Sequence, residues 1–473
     1  MPRSRLAQVV AAGVVLVVLA ACGSSSKKPA SPTAPGVQSP TASSVQASAA
    51  PSIQSPATPS VQPPTSSSAA PAAEPLTASI TMWHGYTDVE AKALGTLVDT
   101  WNTAHPSGKV KLVFDGGNDG ALQKTTAAFV AGNYPDVAYE YGSSTNNLAK
   151  QPKLLDLTSL VNGTQGFNWT DFFPGERLAA TVGDKVVGVP ALQDNLALVY
   201  NKKLFAQAGI APPTNDWSWQ DFRDAAKKLT SSNGKQYGWA YVNDGSEDTV
   251  WRYLAMLWQG GGQLLSSDNK SAAFDSPAGL AAMQQLHDMA VVDHSVYLDS
   301  GNGDYLNLFN SGKIAMLWTG PWDLSSINSD VQYGVTYLPA PPAGTHQTIS
   351  GPDVYMLFNH SKAASNTAWQ FVNWFTSPQI NLQFAVATGD LPLRQSETTL
   401  PDYQKFLTTY PGDKTFVDNL DNVKNARPNI ASYPEISAAL GQAVQAVLLG
   451  KSAPQAALDA AKSQVEGILA GSG

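Results

Sequence analysis

The chain contains a single cysteine, Cys22, which closes an apolar run from Val9 to Ala21 that Arg3 and Arg5 precede. One thiol can form no intramolecular disulfide, so whatever folds downstream must hold together by burial and hydrogen bonding alone. A charged start, an apolar middle and small residues before Cys22 follow the order of a secretory signal. The run is too short to cross ~30 Å of hydrocarbon comfortably, and no later segment approaches ~18 consecutive apolar residues. The expectation is an exported chain from which residues 1–21 are removed.

Leu19-Ala20-Ala21-Cys22 resembles a bacterial lipobox, which implies cleavage before Cys22 and lipidation of its thiol. Two or more acyl chains would hold such a terminus stably on the outer face of the cytoplasmic membrane. Residues 22–77 are almost entirely Ser, Ala, Pro, Thr, Gln and Val, with Lys27, Lys28 and Glu74 the only charges. That composition cannot bury enough apolar surface to offset chain ordering, so it reads as a disordered tether. A spacer through a wall layer and a glycosylated stalk both fit it.

The rest, 78–473, is long enough for two lobes. The whole chain carries a net charge of -8, and loss of Arg3 and Arg5 makes the exported part more acidic still. Binding to nucleic acid needs Lys and Arg in excess to neutralise phosphate, so no nucleic-acid partner is expected. Twelve tryptophans exceed what packing requires and hint at flat ligand contacts.

Ile80 to Trp83 reads as a strand, and Val89, Ala93, Leu94, Leu97, Val98 and Trp101 share one helical face. Lys109 to Phe114, Leu122 to Val130 and Asp136 to Tyr139 continue the alternation of strand and helix, which implies an α/β lobe with parallel pairing. Later, Ser218 to Asp221 has the pattern of a helix cap. Helices are expected at Asp248 to Trp258, Pro277 to Val292, Asn366 to Phe375, Pro434 to Leu449 and Pro454 to Leu469.

Catalytic signatures are thin. Six scattered histidines form no His-Glu-x-x-His, and there is no Gly-x-Ser-x-Gly elbow, so neither a metal nor a cofactor is expected. Asp194 and Glu247 could form an acid pair for glycoside hydrolysis, but that mechanism depends on a separation the sequence does not contain. Binding without turnover fits better.

Three stretches then carry a resemblance. They are Gly188-Val189-Pro190 through Asn195 to Phe205; Phe309 to Met316 with Gly320-Pro321-Trp322; and Ser361-Lys362 through Ala368, Phe371 and Ser377-Pro378. In this order they resemble the extracellular solute-binding proteins of ABC importers, in the cluster that takes maltose and other sugars. The resemblance implies a monomeric, two-lobed, type II periplasmic-binding fold that delivers a sugar to the transmembrane subunits of an ABC permease. It implies crossings near Gln193 to Leu196, Ile349 to Asp353 and Leu391 to Arg394. Lobe one would be 78–193 and 354–393, and lobe two 194–353 and 394–473.

Cleft residues follow from that frame. Trp83, His84 and Gly85 leave the first strand, and Glu140, Tyr141, Gly142 and Ser143 leave the third. Asp194 and Asn195 lie at the first crossing, where a carboxylate can accept two hydroxyl hydrogen bonds. Trp322 takes the family's stacking position, with Trp251 and Tyr433 as further aromatics. Gly351 lets backbone approach the cleft, Asp353 is another acceptor, and Arg394 could donate a forked pair. Where the family often has a Gly-Gly pair at the second crossing, this chain has Ser350-Gly351 followed by Pro352. A glycosidase, a wall-glycan module, and glycerol-phosphate, polyamine or peptide cargo remain the alternatives.

Overall fold

Residues Ile80–His84 form the first strand because alternate side chains, Ile80, Met82 and His84, turn into the core. The computed structural model describes residues 74–117 and 120–471; the expected signal, the lipidation of Cys22 and the tether up to residue 73 lie outside them. Twelve strands are described. They are β1 Ile80–His84, β2 Val110–Phe114, β3 Val137–Tyr141, β4 Thr181–Val182, β5 Lys185–Val186, β6 Val189–Leu192, β7 Ala197–Asn201, β8 Tyr237–Val242, β9 Val296–Asp299, β10 Ile314–Thr319, β11 Tyr333–Thr336 and β12 Asp353–Leu357.

Two five-stranded sheets carry the two lobes, in the orders β2-β1-β3-β12-β6 and β11-β7-β10-β8-β9. In the first, β1 pairs in parallel with β2 and β3, as the strand and helix alternation predicts. The helix Asp88–Ala104 makes the crossover and buries Leu94, Leu97, Val98 and Trp101, spaced for one face. Parallel pairing is only part of the pattern, however. β12 runs antiparallel to both β3 and β6, and β7 antiparallel to β10 and β11. Strands buried on both faces lack the alternation that would reveal their direction. The antiparallel return matters to the site, because it sets Asp353, the first residue of β12, opposite Tyr141, the last of β3.

The chain passes between the sheets in segments that lie side by side. Gln193 bridges Leu391, and the Leu196 amide donates to the Ile349 carbonyl at 3.2 Å. The capping box expected at Ser218 is present: the Asp221 amide donates to Ser218 Oγ at 3.1 Å and the Ser218 amide to Asp221 Oδ2 at 2.9 Å. The helix expected to run from Pro277 to Val292 changes to π geometry over Asp288–Val292.

Two expectations need correction. The tether does not extend to Thr77: Gln370 Nε2 donates to the Glu74 carbonyl at 2.7 Å, and Leu76 packs on the first lobe's core. The tryptophan surplus goes mostly into packing. Trp101, Trp219, Trp239, Trp258, Trp318 and Trp369 are core residues, and the rings of Trp239 and Trp318 lie 5.3 Å apart.

Candidate functional site

Between the sheets, where the crossings meet the strand ends, lies a cavity of ≈ 220 Å³. The first sheet supplies Tyr139, Tyr141, Leu192 and Asp353 to its wall, and the crossings supply Asp194 and Gly351. The helix Glu247–Gln259 contributes Glu247, Asp248, Trp251 and Arg252 from its first turns, a helical spacing that presents one face. Trp322 follows β10, Glu90 sits on the first turn of the helix Asp88–Ala104, and Tyr305 and Arg427 complete the lining.

At the floor, the Gly351 amide donates to Asp194 Oδ1 at 2.6 Å. A Cβ on residue 351 would stand 3.0 Å from that oxygen and 3.1 Å from the Trp251 ring, so glycine is what lets the carboxylate and the indole converge. Tyr139 donates its hydroxyl to Asp353 Oδ2, while Asp353 Oδ1 is buried with no hydrogen-bond partner among the described residues. The indole nitrogen of Trp251 is likewise buried and unpartnered. The rings of Trp251 and Trp322 are 5.7 Å apart and tilted by 33°.

Both guanidiniums are already engaged. Arg427 donates to Glu247 Oε1 at 3.0 Å; Tyr433 donates to the same oxygen at 2.7 Å, and Ser437 to Oε2. Arg252 pairs with Asp248 and donates to the Trp318 carbonyl at 3.1 Å. Burial pushes Asp353 up to about 7, against the Tyr139 hydrogen bond. Burial, then the Asp353 charge, holds Asp194 well above the carboxylate range. Glu90 is raised by burial and by Asp390 beside it, and Asp390 itself is pushed up to about 7 by burial. Desolvated carboxyls with few cations near them keep their protons longer.

The cavity thus gathers Tyr141, Asp194, Trp251, Trp322, Gly351 and Asp353 from the residues the sequence nominates. The others lie elsewhere, each for a physical reason. Alternation along β3 turns Tyr139 and Tyr141 toward the cavity and Glu140 to the opposite face beside Thr125, where burial pushes it up to about 8. Trp83 lines a separate space at the β2 edge with Val113 and Phe114. His84 is buried against Tyr86 and Phe114, burial lowers its pKa, and Gly85 is buried next to it. Ser143, with Gly142, lines a ≈ 460 Å³ cavity that also takes Gln193, Ser350 and Pro352. These alternate along the crossings with the residues facing the first cavity.

Asn195 is fully buried, donating to the Phe416 carbonyl at 2.9 Å and accepting from Asn419 at 2.7 Å. Tyr433 is a support behind Glu247. Arg394 is spent on the Thr376 and Asn168 carbonyls, at 2.6 and 2.9 Å, and lies 3.8 Å over the Phe172 ring. Glu90, Tyr139, Leu192, Asp248, Arg252, Tyr305 and Arg427 also line the cavity without a sequence signal for it, and Glu247, the carboxyl paired with Asp194 in the hydrolysis alternative, lines it with them. An acidic first turn at Glu90, Glu247 and Asp248 is a readable helix-start signal, but it says nothing of a ligand.

Two lobes joined by crossing segments, with a polar and aromatic chamber between them, define a solute-binding protein. Residues 87–381 match the family described as bacterial extracellular solute-binding protein, and the chain belongs to it. The sn-glycerol-3-phosphate-binding periplasmic protein UgpB of Escherichia coli is 26% identical over 412 residues, 81% of this chain and 90% of that protein. The cyclic α-maltosyl-1,6-maltose binding protein of Arthrobacter globiformis is 28% identical with a TM-score of 0.69, over 84% of this chain and 99% of that one. The GacH receptor of Streptomyces glaucescens, solved with acarbose, is 25% identical with a TM-score of 0.73, over 84% and 99%.

Proposed function

We propose that this protein captures a small, hydroxyl-rich solute of the sugar class and hands it to the transmembrane subunits of an ABC permease, without altering it. Lipid on Cys22 would keep it at the membrane. The observation that carries the reading is the composition of the chamber: two indoles for a sugar's C–H face, and Asp194 and Asp353 as acceptors for its hydroxyls. Contributions from both sheets and the crossings suit closure of the lobes about a hinge. At ≈ 220 Å³ the chamber falls below the ~300–1,000 Å³ of clefts for drug-sized ligands, which favours one or two sugar rings over a long glycan.

Glycoside hydrolysis fits poorly. Glu247, one of the two carboxyls such a reaction would recruit, accepts from Arg427, Tyr433 and Ser437, so both of its oxygens are already committed to the protein. Phosphate cargo would meet five lining carboxyls and two arginines that already have carboxylate partners. Trp322→Ala should weaken sugar binding more than tenfold in calorimetry while the fold persists by circular dichroism. Unchanged affinity would remove Trp322 from the site, and release of a cleaved product from incubated oligosaccharides would favour the enzyme.

A further inference from the structure

The chamber is more acidic than a neutral sugar requires. Its wall holds the carboxyls of Glu90, Asp194, Glu247, Asp248 and Asp353 against the guanidiniums of Arg252 and Arg427. Arg252 is paired with Asp248 and Arg427 with Glu247, so the protein's own cations are used up on lobe-two acids. Asp194, Asp353 and Glu90 face the space with no ion-pair partner among the described residues, the Arg427 charge reaching Asp194 and Asp353 only from beyond ion-pair distance. Asp353 is 4% exposed with Oδ1 unpartnered, so one lone-pair direction of a buried carboxylate is open. Such an oxygen left dry is costly, and a donor from the cargo is what would satisfy it.

Aromatic faces surround the same acids. Trp251 stands within van der Waals reach of the Gly351 backbone that binds Asp194, Trp322 lies 5.7 Å from it, and Tyr141 lines the opposite wall. The Arg427 guanidinium sits 5.9 Å from the Trp251 ring and 6.0 Å from the Tyr141 ring, so these rings already border one cation. Carboxylates combined with indole and phenol faces are the surroundings that favour a ligand cation.

The geometry points to a cargo that carries a protonated nitrogen as well as hydroxyls: an amino sugar, or a short saccharide with an amine, its ammonium seated between Asp194 and Asp353 against the Trp251 face. This rests on the sugar-capture reading and narrows it. A neutral hydroxyl could satisfy Asp353 Oδ1, but it would not offset the charge that Asp194 and Asp353 carry once they ionise. An ammonium does both.

The test is calorimetry on the exported chain from residue 23 onward with matched probes: D-glucosamine and its β-1,4-linked disaccharide, their N-acetylated forms, and D-glucose and cellobiose. At least one amine probe should bind tenfold or more tightly than both its acetylated and its hydroxyl counterparts. Asp353→Asn and Asp194→Asn, each checked for a native melt, should shrink that ratio at least threefold. Neutral probes binding as tightly as amines would overturn the inference and leave sugar capture standing. If no saccharide bound in either form, both would fall. An amine preference that both variants retain in full would place the nitrogen elsewhere and overturn the assigned seat.

Discussion

The Arg394 region beneath the first sheet and the Arg427 region at the cavity each bury a guanidinium, with opposite kinds of partner. Arg394 is held by neutral carbonyls and a ring face, with its closest carboxylate, Asp171, at 3.8 Å; burial lowers its pKa to about 10. Arg427 meets Glu247 at 3.0 Å, and although burial works to lower its pKa, the Glu247 charge more than offsets this and raises it. A cation whose donors are spent on main-chain carbonyls ties segments together. One balanced by a carboxylate at a cavity wall sets the local charge that a solute meets. The same residue type is a staple in one place and part of an electrostatic lining in the other.

The comparison breaks most readily at the staple. Arg394→Met should cost roughly 3 kcal/mol or more, because it strands two buried carbonyls and leaves Asp171 uncompensated. Ligand affinity of the folded fraction should stay within twofold, since Arg394 does not line the cavity. Urea unfolding and calorimetry check the two halves separately; a variant as stable as the parent but with lost binding would return Arg394 to the cleft.

A smaller effect separates the regions by pH. Asp353 and Asp390 are pushed up to about 7 and Asp323 to about 6, each chiefly by burial. A carboxyl with a raised folded-state pKa binds more protons folded than unfolded. Its stabilising contribution is full below about pH 4 and is lost as pH climbs through the folded value. The ligand-free protein should therefore melt lower at pH 8 than at pH 5, and Asp353→Asn should flatten part of that slope. A melting temperature that rises over this interval would contradict the placement of these acids.

Legibility in the sequence followed the same division. Helices with a 3.6-residue stripe, such as Asp88–Ala104, and capped starts such as Ser218 could be read locally because the pattern and the cap chemistry reside in neighbouring residues. Asp194, Gly351 and Asp353 could be placed because the crossings are tied to motifs. β12 carries no such mark, since five consecutive buried residues show no alternation, and the antiparallel pairing that sets Asp353 against Tyr141 is hidden with it. Arg427 lies in the irregular stretch between Asn422 and Tyr433, where no period says which way a side chain points. Arg394 lies outside the cavity for the converse reason: its position at a crossing is readable, but the carbonyls that capture it come from residues 168 and 376.

The smallest expected effect tests whether the cavity pair depends on support from behind. Tyr433 is 1% exposed and donates to Glu247 Oε1, the same oxygen that Arg427 uses. Tyr433→Phe keeps the ring and removes one hydrogen bond to a charged group, worth roughly 1.5 kcal/mol. The loss should appear mainly in stability, because Arg427 and Ser437 still hold Glu247. Binding should weaken by no more than about threefold, and by less for amine probes than for neutral ones, as a slightly freer Glu247 leaves the wall no less negative. If affinity instead fell as far as in Trp322→Ala, Tyr433 would have to contact the solute itself, and the boundary drawn between wall and support at Glu247 would move back by one residue.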